Sequence, residues 1–175
     1  MSTTWKIDPT HTLVEFGIRH LMITTVKGRF GGVEGTITGD LDDMTNATVD
    51  VKIDAASIDT RNEDRDNHLR SGDFFDVEKY PHITFKSTKV TKTGDDTFNV
   101  EGELTIRDVT KPVTLEATLL GTAKDPWGNE KVGFSAKAKI NRTDYGLTWT
   151  APLEAGGFLV GDDVNIELEV QAVKA

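Results

Sequence analysis

Apolar and polar residues alternate with a period of two along most of this chain. The clearest run extends from Val164 to Ala172, where every second residue is apolar and acidic or amide side chains stand between. Successive side chains of a β-strand point to opposite faces, so this pattern predicts a strand with one buried and one solvated side. Similar runs start at Val14, Val49, Ile83, Phe98, Val113 and Val132, and a shorter strand is expected from Phe30 to Ile37.

Turn-forming residues separate these runs. Gly39–Asp43, Thr93–Asp96 and Asp125–Asn129 are rich in Gly, Asp and Asn, which favours reverse turns and therefore antiparallel hairpins. Closing about eight such strands removes exposed sheet edges. We therefore predict an all-β fold, a single extended antiparallel β-barrel spanning residues 1–175 as one domain. A two-sheet sandwich is the competing architecture.

One segment interrupts the alternation. Thr60 and Glu63 have the spacing of a capping box, polar helix-forming residues follow, and Gly72 is placed to end a helix. The pattern predicts a short helix near residues 61–71, with Phe74 and Phe75 packing it over one mouth of the barrel. A second helical turn is possible from Arg19 to Ile23.

Composition excludes several function classes. The 175 residues include 29 acidic and 20 basic residues, for a net charge of -9, which disfavours nucleic acid as a partner. No cysteine is present, so neither a disulfide nor a thiol nucleophile is available. No apolar run is long enough to span a membrane, and the start of the chain lacks the features of a secretion signal, so we expect a cytoplasmic location.

The sequence offers little for catalysis or metal binding. The four histidines lie far apart, no nucleophile elbow occurs, and Asp66 with His68 is the most suggestive pair. Glycines from Gly28 to Gly35 lack the residues that follow a phosphate-binding loop, and glycine in a strand more often marks a bulge or a barrel corner. We expect no catalytic residue, no metal and no cofactor.

Small residues on the apolar faces indicate either an internal channel or tight packing. Gly102, Ala117, Ala136, Ala138 and Ala172 alternate with large side chains, and both interpretations stay open at this point. For a channel, the candidate lipid-contacting residues are Phe16, Ile18, His20, Leu21, Phe30, Phe74, Phe75, Phe85, Leu104, Ile106, Phe134 and Ile140.

Three basic residues lie close together in this acidic chain. Arg19, Lys27 and Arg29 form a candidate site for an anionic head group, although scattered charge on a solvated strand face explains them as well.

Several motifs together resemble those of a known family. Asp8-Pro9-Thr10-His11, Arg65-Asp66-Asn67-His68-Leu69 and Asn141-Arg142-x-x-Tyr145-Gly146 occur in order across nearly the whole chain. They are similar to motifs of the YceI-like polyisoprenoid-binding family. Thr12 and Asp108 depart from its usual Ser and Gly, and Asp108 is expected to adopt the left-handed turn conformation that glycine provides.

This resemblance implies a lipocalin-like barrel that binds long isoprenoid chains, often as a homodimer, without catalysis or metal. The expected function is to bind and carry or store an apolar isoprenoid lipid: a polyprenyl chain, an isoprenoid quinone or a prenyl phosphate. Two alternatives remain, namely a hydrolase or isomerase acting on an apolar substrate in the barrel, and a filled barrel that binds a protein partner.

Overall fold

Alternation along the chain produces one antiparallel sheet, which the computed structural model describes for residues 3–21, 23–148 and 160–175. Within these ranges its strands are β1 (Thr3–Ile7), β2 (Leu13–His20), β3 (Thr24–Phe30), β4 (Val33–Asp40), β5 (Asp43–Asp54), β6 (Ile58–Asp59), β7 (His82–Lys92), β8 (Thr97–Ile106), β9 (Val109–Lys124), β10 (Glu130–Asn141) and β11 (Val160–Lys174). The helix α1 spans Glu63–Arg70, and short 3₁₀ turns span Pro9–His11, Ala55–Ser57 and Arg142–Tyr145.

The sheet closes on itself. β1 pairs with β4 on one side and with β11 on the other, which completes a ring in the order β1-β4-β5-β7-β8-β9-β10-β11. β2 follows β1 along the same edge of β11. β2 also pairs with β3, and β3 pairs with β6, so these three strands continue the sheet beyond β1, β4 and β5 toward one end of the barrel. The predicted eight-stranded antiparallel barrel is therefore confirmed. The expected strand from Phe30 to Ile37 is divided between β3 and β4.

A local sequence signal divides the first long strand into β1 and β2. The Asp8 carboxylate accepts a hydrogen bond from the Thr10 backbone N–H at 3.0 Å, and Pro9 has no N–H to donate to a sheet. The chain therefore makes one 3₁₀ turn before the strand resumes at Leu13.

Inward-facing residues form the core, as the alternation predicts. In β8, Phe98, Val100, Leu104 and Ile106 are all buried. Gly102 takes the remaining inward position of this strand, and a Cβ there would lie 2.5 Å from both the Phe85 ring and the Lys86 carbonyl oxygen. The Phe85 ring thus occupies the space that a side chain at this position would need, so Gly102 leaves no free volume.

The predicted helix is present, but its capping differs. Asn62 is the N-cap, its side-chain oxygen accepting from the Arg65 N–H at 2.9 Å, whereas Thr60 is engaged with Asp66. At the other end the Ser71 N–H donates to the His68 carbonyl, so Ser71 rather than Gly72 ends the helix. The capping-box interpretation was wrong because Thr60 is used in a tertiary contact.

Two further local expectations were wrong. Arg19 and His20 are the last residues of β2, and Leu21 has φ 53°, so these described residues do not begin the helical turn that the sequence suggested for this segment. Between β8 and β9 the left-handed residue is Arg107, with φ 57°, rather than Asp108. A two-residue connection requires the left-handed conformation at a defined place, which a single residue's preference does not determine.

The barrel has two distinct ends. At the helix end lie the β2–β3 turn, α1, the β8–β9 turn and the 3₁₀ turn Arg142–Tyr145; at the turn end lie the β4–β5, β7–β8 and β9–β10 turns. In the part of the chain that is described, no helix has the length and apolar character needed to cross a membrane.

Candidate binding cavity

An elongated cavity of about 580 Å³ runs through the barrel interior. It extends from His20 and Ile140 near the helix end to Met44 and Phe98 near the turn end. Its wall consists almost entirely of aliphatic and aromatic side chains, and its volume lies within the range of small-molecule sites. The structure thus favours a channel over the filled core that the sequence left open.

Eleven of the twelve candidate lipid-contacting residues line this cavity. They are Phe16, Ile18, His20, Phe30, Phe74, Phe75, Phe85, Leu104, Ile106, Phe134 and Ile140. Leu21 does not, because it lies in the β2–β3 turn with φ 53° and 39% of its surface exposed. Contact of these residues with a ligand stays a prediction.

Several lining residues were missed from the sequence, although the signal was available. Val49, Val51 and Ile53 of β5 and Ile166 and Leu168 of β11 face the cavity on the same alternating faces that predicted the strands. Ala117 and Ala136 are direct partners across β9 and β10, and both line the cavity, whereas Ala172 is fully buried outside it. Only some of the small residues therefore contribute to the free volume.

Aromatic side chains connect the wall to the segment after α1. The Phe16 and Phe30 ring centroids are 5.6 Å apart, and those of Phe30 and Phe75 are 5.8 Å apart in an edge-to-face arrangement. Such pairs add to the stabilisation from burial alone. This row holds the segment after the helix against the barrel, as the sequence predicted for Phe74 and Phe75.

A buried arginine connects two segments of the chain at the helix end. Arg142 is 2% exposed, and it donates from Nε to the Gly161 carbonyl at 2.7 Å and from Nη1 to the Leu147 carbonyl at 2.6 Å. Nη2 donates to the Val160 carbonyl at 3.2 Å and lies 3.6 Å from an Asp162 carboxylate oxygen. Burial lowers the pKa of Arg142, and the charge of Asp162 opposes this. Arg142 thus ties the end of the 3₁₀ turn to the start of β11.

A second polar network attaches α1 to the barrel. The buried Asp66 carboxylate accepts from the Thr60 N–H at 2.9 Å and from the Thr60 hydroxyl at 2.5 Å. Arg65 donates from Nε to the Thr60 hydroxyl oxygen at 2.7 Å and from Nη2 to the Thr60 carbonyl at 2.6 Å. His68 instead contacts Asp73, with 2.9 Å between Nε2 and Oδ2. Asp66 and His68 therefore do not form the pair that their spacing suggested.

The three basic head-group candidates follow one another along the paired strands β2 and β3, but only Arg19 of the three lines the cavity. Arg19 lies at the cavity rim, with Nη1 3.4 Å from the Thr25 hydroxyl. Lys27 and Arg29 lie on the outer face of β3, and Arg29 is 4.0 Å from an Asp59 carboxylate oxygen with 56% of its side chain exposed. Strand alternation turns both side chains away from the interior. In the described ranges, no three His, Cys, Asp or Glu residues are placed to hold a metal ion.

Closed eight-stranded barrels with an apolar interior are a class of β-protein that can hold one small ligand. The model of the YceI-like domain matches residues 5–172, so this chain belongs to the YceI-like family. Protein YceI of Escherichia coli O17:K52:H18 is 45% identical over 145 residues, which are 82% of this chain and 75% of that protein.

Solved structures have the same fold at lower identity. BcnA of Burkholderia cenocepacia matches with a TM-score of 0.83 at 21% identity, over 94% of this chain and 98% of BcnA. A polyisoprenoid binding domain from Saccharophagus degradans, implicated in plant cell wall breakdown, matches with a TM-score of 0.73 at 15% identity, over 99% of both chains.

Proposed function

We propose that this protein binds an apolar isoprenoid lipid inside its barrel and carries or stores it without transforming it. The observation that carries the proposal is the elongated cavity of about 580 Å³ with its nearly continuous apolar wall. The main favourable contribution to the free energy of binding in such a cavity is the burial of apolar surface, and this contribution requires no particular orientation of the ligand. A flexible hydrocarbon chain is therefore the chemistry that this interior suits best.

The shape of the cavity favours a long ligand. β10 has 12 residues, which at about 3.4 Å per residue and a tilt of about 40° span roughly 30 Å along the barrel axis. Lining residues occur near both ends of the barrel. An extended isoprenoid chain matches this length, and the structural relationship to the polyisoprenoid binding domain from Saccharophagus degradans supports the same ligand class.

Non-catalytic binding is supported by how the buried polar groups are used. Arg142 is bonded to three backbone carbonyls, and Asp66 accepts two hydrogen bonds from Thr60. These groups hold the chain together at the helix end, so they are already engaged before any substrate arrives. Homodimer formation and a cytoplasmic location stay predictions from the sequence.

The test is native mass spectrometry of the protein purified from its own host, followed by organic extraction of the bound molecule. We expect a near-stoichiometric species that carries a polyprenyl chain. A bare protein mass under conditions that retain apolar ligands in a control lipid-binding barrel would contradict the proposal.

A further inference from the structure

Arg65 is a charged residue that lines the apolar cavity at its helix end. It lies in the first turn of α1, is half-buried, and is held by its two hydrogen bonds to Thr60. A guanidinium has five N–H groups, and these two bonds leave some of them without an acceptor among the described residues. Its orientation is therefore fixed by the protein while part of its hydrogen-bonding capacity stays available.

The charge of Arg65 has no direct counter-ion among the described residues. No Asp or Glu in those ranges lies within 4.0 Å of its guanidinium, and Asp66 is reached through the Thr60 hydroxyl. Asp64 also lines this end of the cavity, but it is exposed, so water screens its charge. A half-buried guanidinium without a carboxylate partner favours an anionic ligand.

The surroundings of Arg65 give this end of the cavity an amphipathic character. The Thr60 methyl group lies 2.8 Å from where a Cβ of Gly28 would stand, and the Phe16 ring meets the same point. Phe30 and Phe75 continue the aromatic wall from there. A ligand whose head meets Arg65 would thus place its chain directly against apolar side chains.

We propose that Arg65 binds the phosphate head group of an isoprenoid phosphate, with the hydrocarbon chain directed toward the turn end of the barrel. This inference rests on the proposed function and makes the bound lipid a prenyl phosphate. It replaces Lys27 and Arg29 as head-group ligands, because both lie on the outer face of β3.

The test compares a polyprenyl phosphate with the polyprenyl alcohol of equal chain length, each displacing a fluorescent apolar probe from the full chain. Wild type is expected to bind the phosphate about ten to a hundred times more tightly, as for a hydrogen bond to a charged group. Arg65→Gln should abolish this preference, because it weakens binding of the phosphate far more than binding of the alcohol. Arg65→Lys should retain part of it, and Arg29→Gln, the outer-face control, should retain all of it.

The inference would be overturned if the preference for the phosphate survived Arg65→Gln, or if that variant weakened binding of both ligands equally. It would also be overturned if the wild type bound the alcohol and the phosphate with the same affinity. Failure of wild type to bind either ligand would instead overturn the proposed function. If Arg65→Gln does not fold, NMR of the wild type decides. The Arg65 Nε–H resonance should shift with the phosphate and not with the alcohol, and an unchanged resonance contradicts the inference.

Discussion

Side-chain hydrogen bonds hold the helix end of the barrel together, whereas the inward-facing side chains of the wall between the two ends pack by apolar contact. At the helix end, Arg142 binds three backbone carbonyls and Thr60 connects Arg65 to Asp66. Along the wall, the Phe85 ring packs over Gly102. Irregular segments carry backbone groups that no sheet partner satisfies, so buried polar side chains must do so.

Arg142 and Arg65, both at the helix end, differ in burial and in hydrogen bonding. Together these two properties distinguish an arginine that holds the fold together from one that can bind a ligand. Arg142 is 2% exposed, and all three of its guanidinium nitrogens donate to backbone carbonyls. Arg65 is half-buried, and within the described ranges its side chain bonds only to Thr60. We therefore expect substitution of Arg142 to affect stability and substitution of Arg65 to affect ligand choice.

The largest effect is expected at Arg142. Arg142→Met should lower the free energy of unfolding by about 3–5 kcal/mol, because it leaves several buried carbonyls without donors. Urea denaturation measures this loss. Lys139→Met, which removes an exposed ion pair with Asp163, is the matched control and should change stability by less than about 1 kcal/mol. Similar losses in the two variants would remove the distinction between the helix end and the surface.

Packing of the wall is tested at Gly102. Gly102→Ala should destabilise the protein by about 1–3 kcal/mol, because the new Cβ would meet the Phe85 ring and the Lys86 carbonyl. Gly31→Ala is the control, since no atom lies within 4 Å of the corresponding position. It should be neutral or stabilising by up to about 1 kcal/mol. Thermal unfolding of both variants measures the difference, and equal melting temperatures would refute the close packing.

The free volume of the wall is tested at Ala117 and Ala136, which face each other across β9 and β10. Replacing both with Phe should narrow the cavity and weaken isoprenoid binding about tenfold or more, which is about 1.4 kcal/mol. Ala123→Phe, on the exposed part of β9, should leave binding unchanged. Unaltered affinity in the double variant, measured by probe displacement, would mean that the ligand lies elsewhere.

The smallest effect is expected at Asp8, which caps the 3₁₀ turn Pro9–His11 between the two ends of the barrel. The hydrogen bond from His11, with a further one from Thr10, lowers the pKa of Asp8 from 3.8 to about 2. A carboxyl group whose pKa is lower in the folded state stabilises the fold. This stabilisation is complete above pH 3.8 and is lost as the pH falls through about 2. Asp8→Asn should therefore lower the free energy of unfolding above pH 4. The loss should not exceed about 1 kcal/mol, because the His11 side chain is 58% exposed.

The pH dependence decides this last prediction. Denaturation of both proteins should show the difference shrinking as the pH is lowered from about 4 to about 2. A difference that stays constant over that range would show that the Asp8 charge contributes nothing.

Much of the fold was predictable because alternation depends only on local sequence. The faces containing Phe98, Leu104 and Ile106 were assigned correctly, and α1 lies within the predicted range. The errors occurred where a tertiary contact overrode a local preference. Thr60 satisfies Asp66 instead of capping the helix, and Leu21 follows the β2–β3 turn away from the cavity.

The sequence by itself determined most of the long strands and their inward faces, because a period of two places every second side chain on the same side. Only the tertiary structure decided that the sheet closes through β1 and β11, that free volume remains inside, and that Arg65 rather than Lys27 or Arg29 faces it. These properties depend on the register between strands far apart in the chain and on how side chains fill the enclosed space. No local pattern encodes either of them.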